Sequence, residues 1–249
     1  MQYGICNLSI VPLRVEPSDT CELVSQVLYG EIFKVLEQRK SWSRIRLAFD
    51  KYEGWIDNKQ YLEITEDDYK SIKNENHILS SDLVEYIEDE HQQLSTIPLG
   101  ASLNGLELLK QSFDGNKTSV KQPKQNLIKT AFMYLNAPYL WGGKTPFGID
   151  CSGFTQMVYK LNGYSLLRDA SQQATQGIAL SFIEESEPGD LAFFDNSEGQ
   201  IIHVGIIMEN NYIIHAHGKV RIDRLDHSGI YNVDKKSHTH KLRVIKKII

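Results

Sequence analysis

Residues 150–160 read DCSGFTQMVYK, a polar Asp-Cys-Ser-Gly placed directly before an amphipathic stretch. Four apolar residues recur there at the spacing of one helix face: Phe154, Met157, Val158 and Leu161. This spacing predicts a helix that begins at Cys151. The first turn of a helix carries unpaired N–H groups and the positive end of the helix dipole, which favour a thiolate and can lower a cysteine pKa from about 8.5 to roughly 3.5–7.5. Cys151 is therefore a candidate nucleophile; the alternative is a small residue packed against a strand.

Composition and charge restrict the class of protein. The 249 residues, 41% hydrophobic and 24% charged, suffice for one large domain or for two to three small ones. A net charge of −5 argues against nucleic acid or an anionic membrane as the main partner, and no run approaches the roughly 18 apolar residues of a membrane-spanning helix. The first residues lack the pattern of a secretory signal. We expect a cytoplasmic monomer.

The three cysteines, Cys6, Cys21 and Cys151, are odd in number, far apart and without CxxC spacing. A disulfide framework or a structural zinc site is therefore not expected, and a reducing cytoplasm fits this pattern. We expect no cofactor and no metal.

Residues 1–64 consist of short β-like runs separated by turn-forming residues, which predicts a small barrel. The segments LYGEIFKVLEQRKSWSRIRL and YEGWI resemble a bacterial SH3-like domain, with Trp42 and Trp55 in its core or groove. Residues 65–122 are interpreted as a degenerate second SH3-like module and a linker, DGNKTSVKQPKQ.

In residues 123–249 the pattern of apolar residues changes: helical spacing comes first, and β-rich runs follow. Helices are predicted for NLIKTAFMYLNAPY, for the Cys151 segment and for the shorter LRDASQQATQG. The strands predicted next are EPGDLAFFDN, the hairpin IIHVGIIME and YIIHAHG, and the terminal HKLRVIKKII. This order predicts an α+β domain with an antiparallel sheet.

A base for Cys151 must come from elsewhere, and His203 and His215 lie in the predicted hairpin. Strand residues alternate faces. If the loop is Glu209 to Asn211, Gly205 faces His215, and His203 faces His217 on the same side of the sheet. A two-residue loop would instead put His215 on the opposite face. Spacing alone thus permits a Cys–His–His arrangement without choosing between His215 and His217, and buried structural histidines are a further alternative.

Five segments in order, YLWGGKTPFGIDCSGFTQMVY, RDASQQ, PGDLAFF, HVGI and YIIHA, resemble the NlpC family of cell-wall cysteine peptidases. The resemblance covers residues 126 to 249 and implies a papain-like α+β domain preceded by one or two small SH3-like barrels. It implies Cys151 as nucleophile, His203 as base and His215 as the residue that orients His203. Tyr139 stands where the family has an active-site tyrosine; with the Cys151 N–H it is a candidate oxyanion donor, the alternative being an aromatic plug in the loop.

One branch of this family joins an SH3-like domain to the peptidase. It cleaves the γ-D-glutamyl-L-diamino acid bond of freed murein peptides and releases L-Ala-D-Glu. The resemblance therefore implies a murein peptide with a free N-terminal L-Ala as substrate. Its ammonium needs a polar partner. The candidate substrate-binding residues are Asp150, Ser152, Ser171, Trp141, Arg168, Asp169, Glu31 and Tyr52. Asp150 is equally a helix N-cap, Arg168 with Asp169 a structural pair, and Glu31 and Tyr52 surface turn residues.

Three other functions compete with this interpretation. One is a murein hydrolase that acts on intact wall and uses the SH3-like domain for targeting, and another is a non-catalytic peptide-binding protein. A third is a metal site built from the two His-x-His pairs, His215/His217 and His238/His240, although no cysteine or carboxylate spacing supports it.

Overall fold

The computed structural model describes residues 2–249 and divides them into two compact units. The first unit contains the chain up to Lys121 together with Trp141–Pro146, and the second contains Gln122–Leu140 and Phe147–Ile249. The finer division of the first 122 residues at residue 64 stays a prediction. None of the helices found in residues 2–249 has the length and apolar character that a membrane-spanning segment requires.

Seven short strands build the first sheet of the first unit: β1 (Gln2–Ile5), β2 (Ile10–Arg14), β3 (Leu23–Leu28), β4 (Ile32–Gln38), β5 (Trp42–Leu47), β6 (Glu53–Asp57) and β7 (Leu62–Ile64). They pair antiparallel in the order β3-β2-β6-β5-β4-β1-β7. Alternation explains the fold: in β5, Ser43, Ile45 and Leu47 are buried, whereas Arg44 and Arg46 are exposed. The inward residues form one apolar core, and the predicted small all-β fold is confirmed.

A helix and two small sheets follow in the same unit: α1 (Glu66–Asn74), β8 (Leu79–Ser80), β9 (Val84–Asp89), β10 (Leu94–Pro98), β11 (Gln111–Phe113) and β12 (Lys117–Thr118). The strands pair as β10-β9-β11 and β12-β8. Their core includes Tyr29, Ile87 and Ile97, and the Tyr29 hydroxyl donates to Gln111 Oε1 at 2.6 Å. The two-residue strand β13 (Lys144–Thr145) also belongs to this unit. A second SH3-like module in residues 65–122 stays a prediction.

The second unit contains helices α2 (Asn126–Phe132), α3 (Cys151–Leu161) and α4 (Ala170–Gln173) and the strands β14 (Gly148–Ile149), β15 (Ile178–Leu180), β16 (Leu191–Asp195), β17 (Ile201–Ile207), β18 (Tyr212–His217), β19 (Lys219–Asp226), β20 (Gly229–Asn232) and β21 (Ser237–Lys247). Seven strands pair in the order β15-β21-β16-β17-β18-β19-β20. β20 also pairs with β21, so the sheet closes on itself. Helices followed by an antiparallel sheet confirm the predicted α+β class.

The long helix α3 packs against β17 and β18, and all eleven of its residues are buried. The sequence indicated an amphipathic helix with one buried face, whereas all faces of this helix are buried. The helix α2 is shorter than predicted and ends at Phe132. Leu127 and Ala131 are buried as expected, whereas Phe132 and Leu135 are exposed, because the helix stops before its apolar face is complete.

We expect Ile45→Ala to lower the free energy of unfolding of the first unit by about 2–5 kcal/mol, because it removes a fully buried side chain and leaves a cavity. The neighbouring Arg44→Ala is the control, since Arg44 is 45% exposed and its ion pair with Glu37 lies at the surface. Urea unfolding followed by tryptophan fluorescence is the measurement. All three tryptophans, Trp42, Trp55 and Trp141, lie in the first unit, so the signal reports on that unit. Equal losses for the two variants would contradict the alternation of buried and exposed residues in β5.

Candidate active site

Cys151 is the first residue of α3, and Asp150 is its N-cap. Asp150 has an extended backbone, and its Oδ1 accepts a hydrogen bond from the Gly153 N–H at 2.6 Å. This bond satisfies one of the N–H groups that a helix leaves unpaired at its start. The cap fixes the first turn and, with it, the backbone position of Cys151.

A buried ion pair lies beside the cysteine. The Arg168 guanidinium donates from Nη1 to Asp150 Oδ1 at 3.0 Å and from Nη2 to Asp150 Oδ2 at 2.6 Å. The Nη1 group also donates to Ser152 Oγ at 3.0 Å. Arg168 is 1% exposed, so the pair is screened little by water. The structure thus brings together three of the predicted site residues, Asp150, Ser152 and Arg168.

The environment of the thiol does not stabilise a thiolate at rest. Burial, and after it the Asp150 carboxylate, raise the pKa of Cys151 to about 12, against the N–H groups of Val204 and Ser152 and the Arg168 charge. The helix start alone predicted a lowered pKa, and that prediction was wrong because burial outweighs the helix terminus. Cys151 is therefore a thiol in the resting site, and a base must remove its proton.

The two predicted histidines meet on adjacent strands. Gly205 of β17 lies opposite His215 of β18, as expected for a loop at Glu209–Asn211. His203 Nε2 and His215 Nδ1 are 2.8 Å apart in a hydrogen bond, with the two residues 5% and 0% exposed. A side chain at Gly205 would put its Cβ 2.9 Å from the Cβ of His215 and 2.8 Å from Ile213. Glycine at this position therefore allows His215 to approach His203.

Sequence reasoning missed Asp223 of β19. Its Oδ2 lies 3.1 Å from His215 Nε2, and Arg221 donates to both of its oxygens, from Nε at 2.7 Å and from Nη2 at 2.9 Å. Asp223 is fully buried. The available signal was the segment KVRIDRL, in which Arg221 and Asp223 occupy alternate positions and so share one face of a strand.

Two further histidine rings surround His203. His240 stacks on it with ring centres 4.2 Å apart and an angle of 24°, and His217 lies 6.4 Å away at 81°. Burial, with the neighbouring His215 and His217, lowers the pKa of His240 to about 4. Only neutral rings therefore surround His203 near pH 7. Of the two candidates that spacing left open, His215 makes the hydrogen bond to His203.

The remaining predicted residues of the second unit lie near this centre or at its surface. Tyr139 is 36% exposed, and its pKa is raised by burial and then by Cys151 and Asp150, so its hydroxyl keeps its proton. Asp169 is the N-cap of α4, where its N–H donates to Gln172 Oε1 at 3.1 Å. Ser171 lies in α4 and is exposed. Their roles toward a substrate stay predictions.

Three predicted residues belong to the first unit. Trp141 donates from Nε1 to Glu22 Oε1 at 2.7 Å and is 60% exposed. Glu31 is 6% exposed, and both of its carboxylate oxygens lie 3.3 Å from Lys144 Nζ, so its alternative as a surface turn residue was wrong. Tyr52 is partly buried against the core of the first sheet. Their part in substrate binding stays a prediction.

The His-x-His alternative finds no support. In the described residues 2–249, no three His, Cys, Asp or Glu side chains are arranged to hold a metal ion. His238 instead contacts Asp226 at 2.8 Å, and His240 stacks on His203.

A closed antiparallel sheet packed on a helix that begins at cysteine, in a chain with a small barrel, defines a class of known proteins. Residues 136–239 match the NlpC/P60 family, and residues 13–60 match the bacterial dipeptidyl-peptidase SH3 domain. The fold is similar to the crystal structure of an NlpC/P60 family protein from Bacillus cereus, with a TM-score of 0.81 over 99% of both chains at 19% identity.

Two relatives cover most of the chain. The gamma-D-glutamyl-L-lysine dipeptidyl-peptidase of Bacillus subtilis is 31% identical over 217 residues, which is 77% of this chain and 71% of that protein. The dipeptidyl-peptidase 6 of Lysinibacillus sphaericus is 26% identical over 246 residues, or 86% and 88% of the two chains. This chain belongs to the NlpC/P60 family. Its relatives support a cysteine peptidase, a hydrolase, with the SH3 domain of bacterial dipeptidyl-peptidases.

We expect Gly205→Ala to slow alkylation of Cys151 by iodoacetamide at pH 8 by up to about 10²-fold, because the new methyl displaces His215 and the base loses its orientation. Mass spectrometry of the Cys151 peptide measures the rate. Ile202→Ala is the control, because Ile202 lies on the same strand and is 54% exposed. An unchanged rate in a folded Gly205→Ala protein would show that the close approach is dispensable.

We expect Asp150→Asn to have the opposite effect and to speed alkylation of Cys151. Asparagine is also a good helix N-cap, but the change removes a negative charge that raises the thiol pKa. Each pKa unit lost increases the thiolate fraction at a fixed pH below about 12 by about tenfold. The rate is measured from pH 6 to 10, with the exposed Glu184→Gln as control. A slower reaction, with the fold intact by circular dichroism, would mean that Asp150 does not raise the thiol pKa.

Proposed function

We propose that this protein is a cysteine peptidase that hydrolyses the γ-D-glutamyl-L-diamino acid bond of murein stem peptides with a free N-terminal L-Ala, releasing L-Ala-D-Glu. One observation carries the proposal: a hydrogen-bonded pair, His203 and His215, lies on strands packed against the helix that Cys151 begins. The bond named for the Bacillus subtilis relative, gamma-D-glutamyl-L-lysine, supports the substrate class.

The reaction begins with transfer of the thiol proton from Cys151 to His203. The thiolate sulfur attacks the γ-carbonyl carbon of D-Glu, and the carbonyl electrons move to the oxygen. The Cys151 N–H and the Tyr139 hydroxyl are the candidate donors to this oxyanion. When the C–N bond breaks, His203 returns the proton to the leaving amine of the diamino acid. L-Ala-D-Glu stays bound as a thioester at Cys151.

Hydrolysis of the thioester uses the same residues in the reverse roles. His203 takes a proton from water, and the hydroxide oxygen attacks the thioester carbon. The C–S bond breaks, the proton returns to the sulfur, and L-Ala-D-Glu leaves with a free γ-carboxylate. His215 contacts the reacting atoms only through His203, so its part is orientation.

The free amine of L-Ala is the feature by which we propose that the substrate is selected. An ammonium in a buried site needs an acidic partner, and the Asp150 carboxylate is the candidate nearest to Cys151 in the chain. Both oxygens of Asp150 already accept hydrogen bonds from Arg168, which holds the carboxylate in one orientation. Ser152, which also accepts from Arg168, adds a hydroxyl at the same place.

We place this activity in the cytoplasm, where freed murein peptides would be degraded for reuse. The three cysteines, Cys6, Cys21 and Cys151, are free thiols, which supports a reducing compartment.

We expect mass spectrometry to detect L-Ala-D-Glu when the protein is incubated with L-Ala-γ-D-Glu-diaminopimelate, and at least about 10²-fold less from the N-acetylated peptide, because acetylation removes the charge that the site selects. The same peptide with L-Lys in place of diaminopimelate tests the diamino acid. Cys151→Ala should abolish the reaction.

Equal cleavage of the free and acetylated peptides would show that the protein is a peptidase but does not select substrates by their free amine. Clearing of intact cell wall would favour a murein hydrolase instead. A third outcome is that the peptide binds but is not cleaved, and that Cys151 reacts no faster than an ordinary buried thiol. This outcome would favour a peptide-binding protein.

A further inference from the structure

Asp223 lies one hydrogen bond beyond the two proposed catalytic histidines. Its Oδ2 is 3.1 Å from His215 Nε2, and His215 Nδ1 is in turn 2.8 Å from His203 Nε2. The three side chains form a continuous chain of hydrogen bonds across β17, β18 and β19. All three are buried, at 5%, 0% and 0% exposure for His203, His215 and Asp223.

The carboxylate of Asp223 is held charged and in a fixed orientation. Burial alone would raise its pKa, but hydrogen bonds from His215, Arg221 and the Val233 N–H outweigh burial and lower the pKa below the usual range. Arg221 donates to both oxygens, and the Val233 N–H donates to Oδ1 at 3.1 Å. Asp223 can therefore only accept a hydrogen bond from His215.

This restriction determines where both histidines carry their protons. His215 must have its proton on Nε2, to donate to Asp223. A neutral imidazole has one N–H, so His215 Nδ1 is an acceptor and His203 Nε2 must donate to it. The proton of His203 is thus on Nε2, and its Nδ1 is left with the lone pair. Nδ1 is then the ring nitrogen of His203 that can accept a proton, from Cys151 in the proposed reaction.

Within residues 2–249, no other charged or titratable group near these hydrogen bonds fixes the nitrogen on which His215 and His203 carry their protons. The pKa of His203, His217 and His240 is lowered by burial, so these rings are neutral near pH 7. Arg221 also pairs with Asp234 at 2.8 Å. The other groups whose charge or ring acts on these histidines are His217, Arg221, Asp223, Lys235 and His240.

We propose that Asp223, held by Arg221, is a positioning residue that fixes the tautomers of His215 and His203 and so leaves His203 Nδ1 free to take the Cys151 proton. This inference rests on the proposed function for its catalytic consequence only. Asp223 also supplies a full negative charge to the imidazolium that forms on His203, through the ring of His215. In a Ser-His-Asp triad the orienting residue is itself a carboxylate. Here the orienting residue is the neutral His215, and the negative charge comes from Asp223, which is hydrogen-bonded to it.

The test variant is Asp223→Asn, which keeps the shape of the side chain but replaces one acceptor oxygen by an NH₂ group that donates. Arg221 donates to both positions, but the second donor at Oδ1 is the fixed Val233 N–H, whereas the second partner at Oδ2 is His215, which can move its proton to the other nitrogen. The amide oxygen therefore takes the Oδ1 position, and its NH₂ faces His215 Nε2. His215 then carries its proton on Nδ1, and His203 carries its proton on Nδ1 as well, where it cannot accept from Cys151. The analogous change in a Ser-His-Asp triad preserves the geometry and lowers kcat about 10⁴-fold through the wrong tautomer.

We expect Asp223→Asn to lower kcat for L-Ala-γ-D-Glu-diaminopimelate by about 10²–10⁴-fold with little change in KM, since Asp223 acts through His215. Long-range ¹H–¹⁵N spectra at pH 8 should show His203 and His215 protonated on Nε2 in the unchanged protein and on Nδ1 in the variant. Loss of signals in His215→Gln assigns the His215 ring. The matched control is Asp226→Asn on the same strand, whose partner His238 is exposed.

The spectra need no peptide substrate, so they decide this inference even if the proposed substrate is not cleaved. Nδ1 protonation of His203 in the unchanged protein would overturn the inference without any variant. A folded Asp223→Asn protein with unchanged tautomers, or with a kcat within threefold of the original, would also overturn it.

Discussion

The hydrogen bond between His203 Nε2 and His215 Nδ1, 2.8 Å long, joins two buried side chains. Burial of this kind leaves a polar atom no alternative partner, so each group in the centre must find its partner within the protein. His215 finds Asp223, and Asp223 finds Arg221. The strand pairing that places Gly205 opposite His215 follows from the same requirement, because any larger residue there would separate the rings.

The closure of the sheet makes this dry centre possible. Strand β21 pairs with β16 on one side and with β20 on the other, so the strands that carry the histidines have no open edge between them. The same strand brings His240 onto the face of His203, where it excludes water without adding charge.

Much of the fold follows from local sequence pattern, whereas the assignment of the site residues came from the resemblance to the NlpC family. The period of the apolar residues predicted the Cys151 helix and the strands. Alternation put Gly205 opposite His215 only if the loop was Glu209–Asn211, and it did not choose between His215 and His217. Pattern could place Arg221 and Asp223 on one face of a strand, but it could not show that Asp223 meets His215, because His215 lies eight residues away on another strand and the contact depends on register. It also overestimated α2, because a helical period does not say where a helix stops.

The pKa of Cys151 shows how two effects at one position are weighed. A helix terminus stabilises a nearby charge by about 0.3–1 kcal/mol, and by at most about 2 kcal/mol in partly buried sites. Burial and the nearby Asp150 carboxylate together raise the pKa of Cys151 to about 12, a net destabilisation of the thiolate by about 4 kcal/mol. Burial therefore wins, and the helix start serves Cys151 by fixing its backbone and presenting N–H groups to an oxyanion. Burial also lowers the pKa of His203, so both groups are uncharged at rest. The Asp223 carboxylate, two hydrogen bonds away from His203, favours the imidazolium that the proposed proton transfer would form.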